Sequence, residues 1–408
     1  MRRYAVGIML AMLSVLAIIL VVFPATVMTK SSRKTTATST PLMLGGKHFN
    51  GHTLEDAGSL WYATLSIDPE DSQKMNSFAN VALLTDLRVL SIKESNLNTV
   101  DLSPLAFLTN LEALFISETN FGFVDLSPLA FLANLERLGI YDGINLASVD
   151  LSPLASLLNL ERLFIDGNIS NLPDLTPLNK LSHITIKNSD LESLVGLGAP
   201  GMERLEIIEM ETFETLAPLS NLPELRLLHI VTRRTGSFTR MDLSNVPRLE
   251  FLTIMTTGGP LDVTGIERLT GLAYVNFQTT GLVNPQSISG LYNLKSLSMT
   301  LVDENPFIEY LRGMQGLHDL YIEGVSFWRN RSEEPYQVLD VSPLANNHNL
   351  EGLSMRHFII KNIASLNNLR NLHHGDNLEL GKIDLIGSRL FDENDKSVHD
   401  LDFEGHGH

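Results

Sequence analysis

The chain has 408 residues, with 30 Lys and Arg against 47 Asp and Glu, a formal net charge of −17, and no cysteine. The missing cysteines exclude disulfides, thiolate metal sites and cysteine nucleophiles, and the acidic balance repels phosphate backbones and argues against nucleic acid as a partner. A chain this long predicts two or three globular domains, unless repeats extend it along one axis.

The first element is apolar. Residues 5–23, AVGIMLAMLSVLAIILVVF, carry no charge and follow Arg2 and Arg3. At 1.5 Å per helical residue the run is long enough to cross a hydrocarbon core. Residues 1–29 therefore read as a signal-anchor with one transmembrane helix, or as a signal peptide that is cleaved. Phe23 at the −3 position of the nearest cleavage option favours the anchor. By the positive-inside rule Arg2, Arg3 and the α-amino group balance Lys30, Arg33 and Lys34; the N-terminal position of the run and the arginines ahead of it lean toward an exported body, at the cell surface or in a periplasm, and a cleaved form is secreted. Residues 30–47, rich in Ser and Thr with Pro41, Gly45 and Gly46, read as a flexible spacer. Residues 48–61 read as an N-terminal cap.

From there the chain repeats. The pattern apolar-x-x-apolar-x-apolar occurs as LRVLSI at Leu87, LEALFI at Leu111, LERLGI at Leu135, LERLFI at Leu160, LSHITI at Leu181 and MERLEI at Met202. It continues as LRLLHI at Leu225, LEFLTI at Leu249, LAYVNF at Leu272, LKSLSM at Leu294, LHDLYI at Leu317 and LEGLSM at Leu350. Successive copies lie 21 to 25 residues apart, with one step of 33. Degenerate copies are read as YATLSI at Tyr62 and LRNLHH at Leu369. A period of roughly 20–29 residues is the leucine-rich-repeat signature, and the domain is assigned to residues 62–375.

Each hexapeptide predicts a short strand with positions 1, 4 and 6 inward and positions 3, 5 and 7 outward. One strand cannot bury its leucines alone, so successive strands stack in parallel about 4.8 Å apart. Between the strands lie DLSPLAFL at Asp101 and Asp125, DLSPLASL at Asp150, DLTPLNKL at Asp174 and DVSPLANN at Asp340. Ser or Thr before Pro predicts an N-cap and first helical position. The expected fold class is an α/β solenoid: a leucine-rich-repeat horseshoe with a parallel concave β-sheet and short helical or 3-10 convex segments.

The repeat DLSPLAFLTNLEALFISETNF and its later copies resemble the internalin-type repeats of bacterial surface proteins. The resemblance spans about residues 60–375. It implies a solenoid that binds another protein through its concave face and has no catalysis of its own. Internalin-type repeats carry asparagine at the ninth position, where it bonds the backbone between turns. Here Asn168 occupies that position, and Ser95, Thr119, Ser189, Thr257 and Thr280 are expected to supply part of the ladder with hydroxyls.

The long step between Leu317 and Leu350 predicts an exposed loop around SFWRNRSEEPYQ. Residues 376–408 read as a C-terminal cap followed by a disordered acidic tail. His373, His374, His399, His406 and His408 are the only metal candidates, and nothing positions a full ligand set, so no metal is expected. Asn168 and Asn330 begin N-x-Ser sequons. With no nucleophile elbow, phosphate loop or dinucleotide fingerprint, neither an enzyme nor a cofactor nor a small-molecule substrate is expected.

Two outward clusters are the candidate ligand-binding sites. Position 3 reads Leu227, Phe251 and Tyr274 in consecutive strands, and position 7 reads Ile208, Val231 and Met255; the rows flank Glu206, His229, Thr253 and Asn276. Phe115, Tyr141 and Phe164 form the second cluster, beside Arg137 and Arg162. The Glu-Arg pairs at 136–137, 161–162 and 203–204 read either as a self-compensating charge ladder or as a ligand-steering stripe. Aromatic residues and arginine anchor protein interfaces. The expected function is a non-enzymatic protein, membrane-anchored or secreted, that binds a protein or envelope ligand. The alternatives are a structural envelope protein whose repeats self-associate and an intracellular regulatory subunit.

Overall fold

The computed structural model describes residues 41–44, 47–53, 62–66, 81–93, 101–117, 124–191, 194–210, 219, 222–232, 243, 246–256, 259–301, 307–324, 337–372, 383–384 and 389–390. All belong to the unit Pro41–His408; the other unit, Met1–Thr40, contains the apolar run 5–23 and lies outside them. So do most of the long loop, the five histidines of the metal candidate, and the acidic tail. Among the described residues no helix is long and apolar enough to cross a membrane.

Alternation of apolar and polar residues sets each strand. Along Arg162–Asn168 the side chains run half-buried, buried, half-buried, and His183–Lys187 repeats the pattern. Fourteen such strands, from Tyr62–Ser66 to Ile383–Asp384, form one sheet in chain order. Every pairing within it is parallel and, over the repeat's core positions, position 3 falls on position 3: Val89 on Ala113, Ala113 on Arg137, Arg137 on Arg162, His183 on Arg204; the register shifts only past those positions, after Ile140 and after Val231. Positions 1, 4 and 6 are buried throughout, as at Leu111, Leu114 and Ile116. The fold is a leucine-rich-repeat solenoid.

The returning segments are 3-10 turns. Ser103–Phe107, Ser127–Phe131, Ser152–Ser156 and Ser342–Asn346 each carry proline in the first turn. Their leucines, such as Leu102, Leu105 and Leu108, point back against the sheet and complete the core. The cap differs from the one expected. Ser103 is the first residue of the turn and Leu102 precedes it without a side-chain cap. The capping group is Asp101, whose Oδ1 accepts the Ser103 N–H at 2.8 Å and whose Oδ2 accepts its hydroxyl at 2.8 Å. Asp150 and Asp340 bond Ser152 and Ser342 in the same way through the backbone N–H. The serine hydroxyl and N–H hold Asp125 below the usual carboxylate range.

Both degenerate repeats shift. Tyr62 pairs with Val89, so it stands at position 3 and the unit begins at Leu60, not Tyr62. At the other end the Leu372 N–H bonds the Leu369 carbonyl, as Leu350 bonds Asn347, so Leu372 closes the return turn as a first position does, but the last strand of the sheet lies further on, with Ile383 paired to Leu353 at position 4. The ladder expected at the ninth position holds in part: Asn168 Oδ1 accepts the Asp190 N–H at 3.3 Å. Ser189 accepts from the Ile169 N–H and donates to the Ile169 carbonyl, as expected. Thr280 Oγ1, however, is buried without a partner, and Thr279 instead bonds the carbonyl of Gly259 at 3.0 Å. A longer ladder runs through asparagines immediately before position 1. Asn110, Asn134, Asn159, Asn293, Asn349 and Asn371 each donate to a backbone carbonyl one repeat earlier, at 2.6 to 3.0 Å.

Ser95, Thr119 and Thr257 lie outside the described residues. Within the segment read as spacer and cap, Pro41–Leu44 pairs antiparallel with Lys47–Thr53. Gln337–Asp340, Phe358–Lys361 and Arg389–Leu390 make a second, three-stranded parallel sheet on the return side.

Candidate ligand-binding face

Positions 3, 5 and 7 of each strand line the outer face of the long sheet. In its C-terminal half, Leu227, Phe251 and Tyr274 are direct register partners, and so are Ile208, Val231 and Met255. The Phe251 and Tyr274 rings stack with centroids 4.7 Å apart and planes 4° from parallel, and the two residues remain 39% and 41% exposed. Leu227, Ile208, Val231 and Met255 are only half-buried side walls. Of the six apolar side chains expected to stand exposed together, two do, and the other four are half-buried. Between the rows lie Glu206 and His229, both buried, then Thr253 and Asn276, half-buried. Arg204 meets Glu206 at 3.3 Å. Burial pushes the His229 imidazole pKa down, the Glu206 charge opposes that, and Lys187 adds to it.

The N-terminal cluster is built around a glycine. Phe115, Gly139 and Phe164 are register partners at position 5, so the aromatic row has a gap. Tyr141 fills it from position 7: a Cβ on Gly139 would lie 2.5 Å from the Tyr141 ring. The Tyr141 ring stacks on Phe164 at 4.5 Å and lies 6.4 Å from Phe115 at a 47° tilt. Lys187 Nζ sits 5.4 Å from the Phe164 centroid, within cation–π range. Gly139 and Lys187 were not singled out in the sequence. The signal available there was a glycine interrupting an otherwise aromatic fifth position.

Beside this cluster Arg137 and Arg162 pair in register, and the row continues through His183 and Arg204. The row thus holds one member more than the three arginines of the Glu-Arg pairs. His183 is the member sequence reasoning missed, because its hexapeptide LSHITI lacks the Glu-Arg signature. Burial, reinforced by Arg162 and Arg204, lowers the His183 pKa to about 4, so the imidazole is neutral near pH 7. Its Nδ1 lies 2.7 Å from the Ser182 hydroxyl. The Nε of Arg137 is buried without a partner. Ion pairs along position 2 join Arg88 to Glu112 at 2.8 Å and Arg226 to Glu250.

Register also joins the two clusters, which the sequence presented as separate. Arg204 is the direct partner of Leu227, so position 3 runs without a break from Arg137 to Tyr274, four basic residues followed by three apolar ones. Among the described residues no group of three His, Asp or Glu is placed to hold a metal ion.

No family model matches the sequence, and no curated protein matches it. Solved structures do. A leucine-rich-repeat protein of Leptospira interrogans is 17% identical over 83% of this chain and 81% of its own, with a TM-score of 0.59. The crystal structure of PEPR1-AtPEP1 is 15% identical, covering 81% of this chain and 51% of that one, with a TM-score of 0.51. An internalin from Listeria monocytogenes is 19% identical over 73% of this chain and 88% of its own, with a TM-score of 0.45. At these identities the likeness shows the fold: the chain is a leucine-rich-repeat solenoid, and bacterial proteins of that class, an internalin among them, stand among its structural neighbours.

Proposed function

We propose that this chain is a non-enzymatic binding protein, anchored in a membrane or secreted, that holds a protein ligand on the concave outer face of its long sheet. The stacked and exposed Phe251–Tyr274 pair carries the reading. Large aromatic side chains are enriched among the residues that anchor interfaces, and a stack left this exposed contributes at most about 1 kcal/mol to the sheet itself. The continuous row from Arg137 to Tyr274 supports it, since arginine and aromatic side chains in one line match the composition of interface cores. Anchoring is supported by the apolar run 5–23, and export of the body by that run's N-terminal position with Arg2 and Arg3 ahead of it.

The test compares partners recovered by the wild-type chain, the Phe251→Ala/Tyr274→Ala double variant and Phe131→Ala, which alters an exposed ring on the return side. The reading expects a partner retained by wild type and Phe131→Ala and lost from the double variant at unchanged Tm. Identical recovery by all three contradicts it. Self-association is the second reading, favoured by Leu83, Phe107 and Phe131. These occupy equivalent positions in three successive turns and are 50%, 63% and 64% exposed. Sedimentation of the chain as a clean monomer dismisses that reading.

A further inference from the structure

Position 3 of the long sheet lines up like charges. Arg137, Arg162, His183 and Arg204 are direct partners on four neighbouring strands, about 14 Å end to end at about 4.8 Å per strand. Like charges set opposite one another across strands destabilise a sheet. The charges that act on His183 are those of Arg162 and Arg204, and both push its pKa down. The middle of the row is therefore electropositive, in a chain whose net charge is −17. Arg204 meets Glu206, while Arg137 makes no ion pair among the described residues. All four residues are half-buried, and Arg204 keeps 23% of its side chain exposed even in its ion pair. Toward the C-terminus the row runs without a break into Leu227, Phe251 and Tyr274.

We propose that the partner is a protein that seats a cluster of its own surface carboxylates on the Arg137–Arg204 row, directly beside apolar side chains that cover Phe251 and Tyr274. The inference rests on the protein-binding reading above and adds the chemistry of the ligand. Arginine presents a planar fork that matches a carboxylate through two parallel hydrogen bonds. Charge complementarity of this kind selects the partner and fixes its register more than it adds raw affinity. Glu136, Glu161 and Glu203 each precede an arginine of the row and confine its positive field to short range. The row therefore suits a few carboxylates in contact, while the acidic remainder of the chain repels long phosphate polymers and anionic membranes. The apolar stretch narrows the choice further. A purely anionic ligand would leave the exposed ring stack uncovered, and a purely apolar one would strip water from the arginines without pairing them. A protein surface carries carboxylates and bulky apolar side chains side by side, and at about 4.8 Å per strand the seven strands from Arg137 to Tyr274 span about 29 Å, a length a protein interface covers.

The full chain, with a photoreactive phenylalanine analogue at Phe251, is irradiated in the producing cells with and without Arg137→Glu/Arg162→Glu. A control pair, Arg268→Glu/Arg312→Glu, changes the net charge equally at exposed positions on the return side. The proposal expects the protein adduct to fall at least ten-fold with the first pair and to persist with the control pair. It expects Asp or Glu beside the cross-linked residue of the partner. Reversing those to Lys should restore the adduct with Arg137→Glu/Arg162→Glu and weaken it with wild type. Variants are compared at matching Tm, and Arg137→Gln/Arg162→Gln replaces the charge reversal if that lowers Tm; the same ten-fold fall is expected. An adduct untouched by the first pair leaves the protein-binding reading standing and overturns this proposal. So does an equal loss from both pairs, which would report net charge alone, or an adduct with lipid, glycan or nucleic acid in place of protein. No adduct from position 251 in the wild type removes the protein-binding reading itself, and the proposal with it.

Discussion

His183 carries a consequence for pH. Its folded pKa is about 4 against an ordinary 6.5, through burial first and the Arg162 and Arg204 charges second. Between those values the unfolded chain takes up a proton that the folded chain refuses. Stability from this group is therefore full above pH 6.5 and lost progressively as pH falls toward 4. With His183 only half-buried and solvent screening the arginines, the loss is about 1 kcal/mol. Chemical denaturation at pH 7 and pH 4.5 should show a shallower fall for His183→Gln than for wild type; parallel falls would remove His183 from the account. Gly139 makes a second prediction. Valine there normally favours a strand over glycine, yet its side chain would strike the Tyr141 ring. Gly139→Val should destabilise the wild-type protein by about 1 kcal/mol, the worth of the displaced aromatic stack. In a Tyr141→Ala background the same change should stabilise. Two changes of the same sign would mean that Tyr141 does not occupy the gap.

At the scale of the element, the strands are defined by which positions are inward. Leu114, Leu138 and Leu163 are 0%, 2% and 2% exposed at position 4. Leu138→Ala should cost about 2–5 kcal/mol, and Glu136→Ala on the neighbouring outward position should cost under about 0.5 kcal/mol. Equal costs in urea denaturation would contradict the assigned faces. This much was legible in the sequence, because period-2 alternation inside a fixed 21-to-25-residue step leaves few ways to fold. The ends were not. YATLSI offers apolar residues at the required spacing in two frames, starting at Leu60 or at Tyr62, and only pairing with Val89 chooses between them. LRNLHH offers leucines at its first and fourth positions, and only the pairing of Ile383 with Leu353 shows that the last strand starts further along the chain. The cap was read at serine although the aspartate two residues earlier reaches both the serine N–H and its hydroxyl. The inter-turn ladder was sought at the ninth position, where Asn168 and Ser189 do bond a neighbouring turn, but a longer one follows the Asn-Leu that recurs at the head of repeat after repeat. Its bonds cross between turns, and a single-turn reading cannot see them.

For the whole molecule, the outer face was legible as two candidate clusters, but their union was not. Arg204 and Leu227 are 23 positions apart in the chain, and register alone makes them neighbours. The filling of the gap at Gly139 depends on side-chain directions that no spacing rule supplies. Outside the described residues, the apolar run makes its own prediction. Deleting residues 1–29 should release the repeat body from the membrane fraction with its Tm unchanged, and the intact chain should keep its N-terminus near Met1. A mature form beginning between Thr26 and Ser31 would make the protein secreted rather than anchored. On the proposed function, a partner sits on the outer face of the long sheet. The most direct measurement of this is photo-cross-linking in the producing cells, with a photoreactive phenylalanine analogue placed singly at Phe251, Phe115 and Phe131. The account predicts a discrete covalent adduct with another protein from position 251, with or without one from 115, and none from 131. An adduct from 131 alone would place the partner on the return side and contradict it.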